Sequence, residues 1–252
     1  DGAGISGGSA VVDLTLDDVV VQDCFSYGDG GGIYLVGGSL AATDLVLDGN
    51  DAISSGGGIY LYGGTASFSG LTVTGNTAGY ISGGLYLTHG PFTLDDVLIS
   101  GNQSAYGGGL MGYYGTLSMS DCEVSGNAAT TWGGGAYLHT ASLSLDSCQI
   151  FGNQAGTSTA YGAGGGVFAY NGSSIGCIGS ASETAGIYLN SAYYGGGVYL
   201  YDAYAAVVSS ACDWGTSTAG DDNWWGDVSS PYFWAASFGV DASFTCVGTA
   251  CY

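Results

Sequence analysis

Short runs of alternating apolar and polar residues fill most of the chain. Ile33–Leu35, Ser39–Ala42 and Leu45–Leu47 are typical runs. A period of two predicts β-strands, and the Gly, Asp, Ser and Asn residues between the runs predict tight turns. We find no stretch with the period of an amphipathic helix. The pattern therefore predicts an all-β protein built from short strands.

The strand pattern itself recurs about every 26 residues, and repetition in this range is typical of a solenoid. In the unit Leu94–Leu110, an apolar residue, Ile99, stands shortly before Asn102, and a Gly triplet and an apolar strand follow. The last glycine of the triplet recurs with nearly constant spacing, which lengthens in the final two intervals, at Gly32, Gly58, Gly84, Gly109, Gly135, Gly166 and Gly197. Insertions are therefore expected in the later coils.

We therefore expect a single-stranded parallel β-helix of about seven to eight coils over residues 1–203. Equivalent residues of neighbouring coils would stack at about 4.8 Å, and the coils would wind a parallel sheet around one core. Since a single coil cannot bury enough apolar surface to fold alone, its neighbours must stabilise it. An inward apolar column runs through Leu45/Leu47, Leu71/Val73, Val97/Ile99, Cys122/Val124 and Cys148/Ile150.

The repeated asparagines predict an internal amide ladder. They follow the period of the repeat, with Cys24 standing one period before the first, at Asn50, Asn76, Asn102, Asn127 and Asn153. At a tight corner, Asn tolerates left-handed backbone, and its amide can bond the equivalent group one coil away. Ligand binding by these asparagines is the alternative. The Gly triplets fit a bent, closely packed corner and need no ligand.

Two columns of residues after each Gly triplet should point outward by strand alternation. Most are aromatic; Met111 interrupts the first column, and Val36, Thr88 and His139 belong to the second. We expect a stripe for self-association or glycan binding, with simple stacking of tyrosines as the alternative. The aromatic members are Tyr34, Tyr60, Tyr62, Tyr86, Tyr113, Tyr137, Phe168, Tyr170, Tyr199 and Tyr201.

The period fades after about residue 203, so residues 204–252 are interpreted as a C-terminal cap. The segment contains aromatic residues that can close the end of the core, namely Trp214, Trp224, Trp225, Phe233, Trp234, Phe238 and Phe244. The first coil begins partway round a turn, with no charged leader before it. An upstream segment or the next copy, stacked head to tail, would cover that end.

Seven cysteines indicate an oxidising compartment but leave one unpaired. Cys246 and Cys251 are close enough in sequence to form a disulfide within the cap, and Cys212 is a competing partner. Cys122 and Cys148 are either core residues or a bridge between coils. Cys24, which replaces a ladder asparagine, is expected to be a free thiol.

The formal charge of −21, with no Lys or Arg, would repel nucleic acid and anionic membrane surfaces. There is also no apolar run long enough to insert into a bilayer. Neutral glycans, cations and protein surfaces remain as partners. A corner column of Asp18, Asp44, Asp96 and Asp121 either splays into solvent or binds calcium between coils. His89 and His139 lack the spacing of a zinc site and are interpreted as surface residues.

The Gly-Gly-apolar-apolar and apolar-x-x-Asn motifs resemble the repeats of polymorphic outer-membrane proteins and related pectin-lyase-like proteins. The matching runs, within about residues 2–203, are Leu47–Asn50, Val73–Asn76, Ile99–Asn102, Val124–Asn127 and Ile150–Asn153. The resemblance implies a right-handed parallel β-helix that is secreted or displayed at the cell surface. It does not decide function, since the fold serves adhesins, lyases, hydrolases and structural fibres.

An enzymatic role is the main rival to a structural one. Lyases that share this fold use Arg or Lys, and this chain has neither. Hydrolases use carboxylate pairs, for which Asp17-Asp18, Asp95-Asp96 and Asp221-Asp222 are candidates. The Gly-His-Gly and Arg-x-Lys signatures of such hydrolases are missing. The sequence therefore favours a non-enzymatic extracellular structural or adhesive protein that self-associates through its coil ends and Tyr stripe. It predicts no cofactor, with calcium at the aspartate column as the alternative.

Overall fold

The chain folds as a parallel β-solenoid of about eight turns. The computed structural model describes residues 4–8, 12–157, 160–179, 185–214, 223, 227–231, 233–236, 242–247 and 250–251. The first strands are β1 (Ile5–Gly7), β2 (Asp13–Gln22), β3 (Phe25–Ser26), β4 (Ile33–Val36), β5 (Ser39–Asp48), β6 (Asp51–Ala52), β7 (Ile59–Tyr62), β8 (Thr65–Thr74), β9 (Thr77–Ala78), β10 (Leu85–Thr88), β11 (Pro91–Ser100) and β12 (Gln103–Tyr106).

The later coils have shorter strands. In the middle of the chain lie β13 (Leu110–Tyr113), β14 (Thr116–Ser120), β15 (Glu123–Ser125), β16 (Ala128–Trp132), β17 (Ala136–His139), β18 (Ser142–Asp146), β19 (Gln149–Phe151), β20 (Gln154–Thr157), β21 (Ala160–Tyr161) and β22 (Val167–Tyr170). The last are β23 (Ser174–Ile178), β24 (Gly186–Tyr188), β25 (Val198–Leu200), β26 (Ala206–Cys212), β27 (Val228–Ser230), β28 (Phe233–Ala236), β29 (Ala242–Val247) and β30 (Ala250–Cys251).

Three sheets run along the rod. Sheet A has the order β1-β4-β7-β10-β13-β17-β22-β25-β27-β28. Sheet B has the order β2-β5-β8-β11-β14-β18-β23-β26-β29-β30, with β15, β19 and β24 alongside, and sheet C joins β3, β6, β9, β12, β16, β20 and β21. The register follows the sequence repeat: Leu85 lies opposite Ile59 on one side and Leu110 on the other. The predicted all-β solenoid is confirmed.

One continuous apolar core fills the solenoid. The inward residues of sheets A and B, such as Ile33, Leu61, Leu94 and Ile99, are fully buried in it. Phe68 and Phe92 are among the largest fully buried side chains. Burial of these side chains on both sides of each coil supplies the stability that one coil lacks.

The asparagine column lies at the corner between sheets B and C. The Asn102 Nδ2 atom donates to the carbonyl oxygen of Val73 at 3.0 Å and to Oδ1 of Asn127 at 2.9 Å. Oδ1 of Asn102 accepts from the backbone N–H and the Nδ2 atom of Asn76. The same pattern joins the whole column, from Cys24, whose N–H donates to Asn50, to Asn190 and Asn223.

The last two members of this column extend it beyond the five asparagines of the sequence repeat. Asn153 donates to Asn190, which stands 37 residues later, and Asn190 donates to Asn223 after a further 33. All of these side chains are buried. The residue before each ladder position in the regular coils has positive φ, as Gly101 does at 68°, which turns the chain so that the amide points inward.

The Gly triplets bring the backbones of neighbouring coils close together. A Cβ atom on Gly109 would lie 2.6 Å from the carbonyl oxygen of Gly135 and 3.0 Å from the amide of Asn127. The triplet and the ladder therefore occur together because the glycines leave room for the amides.

The parallel ladder ends in antiparallel strands at the C-terminal end. β26 still pairs in parallel with β23, whereas β29 pairs with β26, β28 with β27 and β30 with β29 in antiparallel fashion. Trp214 is fully buried, and its Nε1 atom donates to Oγ of Ser209. Trp224, Trp225 and Phe238 of the predicted cap lie outside the described residues, as do the side chains of Phe233, Trp234 and Phe244.

The cysteines follow the sequence predictions only in part. Cys177 and Cys212 form a disulfide. This excludes the alternative in which Cys212 pairs with Cys246 or Cys251. Cys246 is disulfide-bonded and lies opposite Cys251, whose side chain is outside the described part of the chain. Cys24 is a free thiol, and Cys122 and Cys148 are free, buried core residues.

Candidate interaction surface

The outer face of sheet A carries stacked rings. Tyr34 and Tyr60 stack at 5.3 Å between ring centroids, and Tyr60 and Tyr86 stack at 4.8 Å, with ring planes 12° and 13° apart. Further along, Phe168 stacks between Tyr137 and Tyr199. This first outer column follows from the strand register, which places equivalent positions side by side.

The first outer column is not the exposed stripe that the sequence predicts. Met111 and Tyr137 are buried, and Phe168 is only 1% exposed. Residues at the ends of two sheet C strands cover them: Trp132 of β16 stacks on Phe168 at 5.0 Å, and Tyr106 of β12 contacts Tyr137. The prediction of exposure is wrong for Met111, Tyr137 and Phe168 because they pack with Trp132 and other side chains into a second apolar cluster outside the coil.

The second outer column is more open, and its rings form an unbroken line because the ring of the turn residue His89 lies where the column has the buried Thr88. Successive centroid distances are 5.3, 5.8, 4.7, 4.9 and 5.2 Å along Tyr62, His89, Tyr113, His139, Tyr170 and Tyr201. Tyr62 is 46% exposed and Tyr201 is also exposed. We call this line the outer ring ladder. Both histidines of the chain belong to it: the sequence placed His139 in this column but missed His89. Burial lowers the pKa of His139.

The turn beside the outer ring ladder holds non-glycine residues in left-handed backbone. The first coils place Gly37 and Gly63 there, whereas the next three place His89, Tyr114 and Thr140, with φ of 59°, 50° and 52°. Such angles are uncommon for a tyrosine and are an outlier for a β-branched threonine. These side chains border a shallow depression of about 510 Å³, whose lining also includes Pro91, Thr116 and Ser142.

Charge is distributed unevenly around the rod. No carboxylate stands in the described strands of sheet A between residues 33 and 200. Sheet B, in contrast, contains Asp13, Asp17, Asp18, Asp44, Asp48, Asp95, Asp96, Glu123 and Asp146. The strands of sheet A thus present aromatic and no acidic side chains, although Asp29, from the segment before β4, lies close enough to Tyr60 and Tyr86 to add to the rise in pKa that burial causes there. Sheet B is the acidic face.

The aspartate column lies on the acidic face. Asp18, Asp44, Asp96 and Asp121 are exposed and have φ between 50° and 53°. They bend the chain within sheet B, as Asp can because it tolerates left-handed backbone. Within the described residues, no group of three or more His, Cys, Asp or Glu side chains is arranged to hold a metal ion. Calcium binding by this column stays a prediction.

The candidate catalytic carboxylates lie on the surface of sheet B. Asp17, Asp18, Asp95 and Asp96 are exposed, and Asp95 accepts a hydrogen bond from Ser120 at 2.6 Å. Asp221 and Asp222 lie outside the described residues. The open groove beside the aspartate column, about 790 Å³ in volume, is lined by Asp44, Asp96, Asp121 and Glu123.

Burial changes the ionisation of the stacked tyrosines. It raises the pKa of Tyr86 to about 12 and that of Tyr199 to about 12, and neighbouring phenols add to the effect. Burial also raises the pKa of Tyr60 and Tyr137. These side chains therefore stay neutral at pH values where a free phenol, with a pKa of about 10, is ionised.

We predict that the fold loses stability in alkali. Because the folded-state pKa of these tyrosines lies above the unfolded value, their contribution is complete below about pH 10 and is lost as pH rises toward about 12. Urea unfolding at several pH values should show the midpoint falling across this window. Tyr86→Phe should have a shallower fall. A midpoint that is independent of pH up to about 12 would contradict the raised pKa values.

The family comparison agrees with this architecture. The family model described as "right handed beta helix region" matches residues 1–213. The chain belongs to this family. The predicted right-handed parallel β-helix is therefore confirmed, and no curated protein and no solved structure matches the chain significantly. Right-handed β-helix proteins include enzymes such as pectate lyase and glycosidases as well as non-enzymes.

The described part of this β-helix contains no helix with the length and hydropathy of a membrane span.

Proposed function

We propose that this β-helix is a non-enzymatic structural or adhesive protein of the cell exterior, and that copies associate laterally through the outer face of sheet A. The uneven charge distribution carries the proposal. Each copy has a formal charge of −21 and no Lys or Arg to form ion pairs with a neighbour. Copies therefore repel one another least where they meet through a surface poor in carboxylates, and the strands of sheet A, which contain none from β4 to β25, offer that surface.

The outer ring ladder gives this contact its apolar surface. From β4 to β25 the face spans six strand spacings, or about 29 Å. Exposed rings such as those of Tyr62 and Tyr201 provide large, rigid contact areas. Tyrosine is accordingly enriched at protein interfaces. Two copies using the same face would form an isologous pair, with their acidic faces turned away from each other.

Sedimentation of the purified protein over a range of concentrations tests this contact. We expect the average mass to rise with concentration, and to rise further with added salt because salt screens the repulsion between copies. A Tyr62→Glu, Tyr201→Glu double variant should remain monomeric. The matched control adds the same charge to sheet B, as Val20→Glu with Val208→Glu, at positions that are also exposed.

Two results would contradict lateral association. One is a wild-type protein that stays monomeric at every concentration and salt level. The other is a control variant that dissociates as completely as the sheet A variant, since that would show an effect of total charge. Electron microscopy tests the end-to-end stacking that the sequence also predicts. Filaments would support this stacking, and dispersed particles would contradict it.

Binding of a neutral glycan is a second candidate function. The depression beside the outer ring ladder combines the rings of His89 and Tyr114 with the hydroxyl groups of Thr116, Thr140 and Ser142. Rings can stack on the apolar face of a sugar, and hydroxyls both donate and accept hydrogen bonds.

A glycan array tests this candidate and should show selective binding by the wild type. Tyr114→Gly, which keeps the positive φ, should abolish the binding. Release of reducing sugar from a glycan would instead indicate an enzyme.

The disulfide between Cys177 and Cys212 supports an extracellular location, since such bonds persist mainly in oxidising compartments. The acidic surface supports the proposal that neither nucleic acid nor an anionic membrane is a partner.

We also propose that the aspartate column can bind calcium between coils. Its test is a thermal melt in chelator at low ionic strength, where an unchanged midpoint would count against bound calcium.

A further inference from the structure

Exposed tyrosines concentrate toward the C-terminal coils of the rod. Tyr161 is 72% exposed and Tyr193 is 45% exposed, and Tyr194, Tyr201 and Tyr204 are also exposed. The chain has 20 tyrosines and no lysine. Covalent reinforcement through lysine, as an amide or through an aldehyde, is therefore unavailable to this protein. The phenol ring is the abundant reactive group at its surface.

Tyr161 and Tyr193 are in direct ring contact. Tyr161 ends the short hairpin that β21 forms with β20, and Tyr193 belongs to the following coil. Their ring centroids lie 4.3 Å apart, with the planes inclined at 58°. Because the two residues belong to successive coils, a bond between them would tie one coil to the next.

This geometry differs from that of the stacked column. Tyr34 and Tyr60 lie face to face, with planes 12° apart and centroids at 5.3 Å, and both are only partly exposed. Joining two phenols through ring carbons requires the ring edges to meet. A face-to-face pair held in sheet register cannot turn in this way, whereas an inclined pair at the surface can.

We propose that Tyr161 and Tyr193 form an oxidative cross-linking site, at which a haem peroxidase and hydrogen peroxide join the two rings as dityrosine. Each phenol loses one electron and its hydroxyl proton to become a phenoxyl radical with spin density at the ortho carbons. The two radicals couple through a new carbon–carbon bond, and each ring then regains its aromaticity by moving its ortho hydrogen to the phenolic oxygen. Overall, two electrons and two protons leave the protein and reduce one peroxide to two waters.

The consequence is a covalent staple between successive coils where the repeat is longest. The spacing between Gly triplets is wider from Gly135 to Gly166 and from Gly166 to Gly197 than in the earlier coils, and Tyr161 and Tyr193 each lie in one of these longer coils. A bond from Tyr161 to Tyr193 would hold these insertions together. The inference does not depend on lateral association, because both rings belong to one copy.

Treatment of the purified protein with a haem peroxidase and hydrogen peroxide tests the site. We expect dityrosine fluorescence in the monomer fraction, with a yield that does not change on dilution. Mass spectrometry after digestion with pepsin should find the peptides of Tyr161 and Tyr193 joined with the loss of two hydrogens. Tyr161→Phe and Tyr193→Phe should each lose this joined peptide, and Tyr60→Phe should retain it.

Three outcomes would overturn the proposal. The first is the absence of dityrosine in the oxidised wild type. The second is a product that joins other tyrosines as the main species in the monomer. The third is an unchanged yield in Tyr161→Phe. Each variant removes one hydroxyl from the surface or from the outer column, and circular dichroism before oxidation verifies that the fold is intact.

Discussion

Replacing Gly108 by alanine is expected to destabilise the β-helix by about 3 kcal/mol or more. The new Cβ atom would lie 2.5 Å from the carbonyl oxygen of Gly134 and 2.6 Å from the carbonyl group of Ala128. Both contacts are with backbone, so no side chain can rotate away. The backbone N–H of Gly108 also donates to Gly133 at 2.9 Å, which holds the coils at this separation. Urea unfolding followed by circular dichroism measures the loss.

Gly176→Ala is the matched control for this change. Gly176 also lies in a strand of the solenoid, yet a Cβ atom there would meet only the carbonyl oxygen of Leu143, at 4.0 Å. We expect a change within about 0.5 kcal/mol. Equal losses in the two variants would show that the glycines matter through chain flexibility, and the close approach of coils would then not explain the triplets.

Replacing Asn102 by alanine is expected to cost about 3 to 5 kcal/mol of unfolding free energy. Both donors of Asn76 lose their acceptor, and the carbonyl oxygen of Val73 loses its donor. All of these groups are buried, and an unsatisfied buried polar group costs about 1 to 3 kcal/mol. Thermal and urea unfolding should both record the loss.

Two further variants separate the hydrogen bonds from other effects. Asn102→Asp keeps the shape of the side chain but removes its donors and brings a charge into the core, so it should be at least as destabilising as alanine. Asn171→Gly changes an exposed asparagine outside the column. Because Asn171 has a φ of 54°, glycine fits its backbone, and the change should affect stability little. A small, equal effect of Asn102→Ala and Asn171→Gly would refute the amide ladder.

Most of the fold could be predicted because one backbone path is repeated. Once Asn76 and Asn102 are aligned, the strand register, the inward columns and the corner aspartates follow from the constant period of the regular coils. Asn190 and Asn223 escaped this reasoning because insertions change the interval to 37 and 33 residues. The apolar-x-x-Asn motif at Ile187–Asn190 was still present and could have identified the first of them.

The candidate interaction surface was harder to predict. Strand alternation places Tyr60 and Phe168 outside the coil, but it does not say what covers them. Trp132 and Tyr106 end two strands of sheet C, β16 and β12, whose register shifts just before these residues, so strand alternation does not predict the direction of their side chains. The pairing of Cys177 with Cys212 was missed for a similar reason, since the insertions displace these cysteines from the repeat.

The asparagine column also gives the rod a dipole moment along its length. In every side-chain amide from Asn50 to Asn190, Oδ1 accepts from the preceding coil, and Nδ2 donates one bond to the next asparagine and another to a backbone carbonyl oxygen of the preceding coil. All of the bonds between asparagines thus point in the same direction along the rod. The amide dipoles therefore add, and each bond polarises the next. One terminus of the rod is positive and the other negative along this line. Along this line, two rods stacked end to end attract when they have the same orientation and repel when one is reversed.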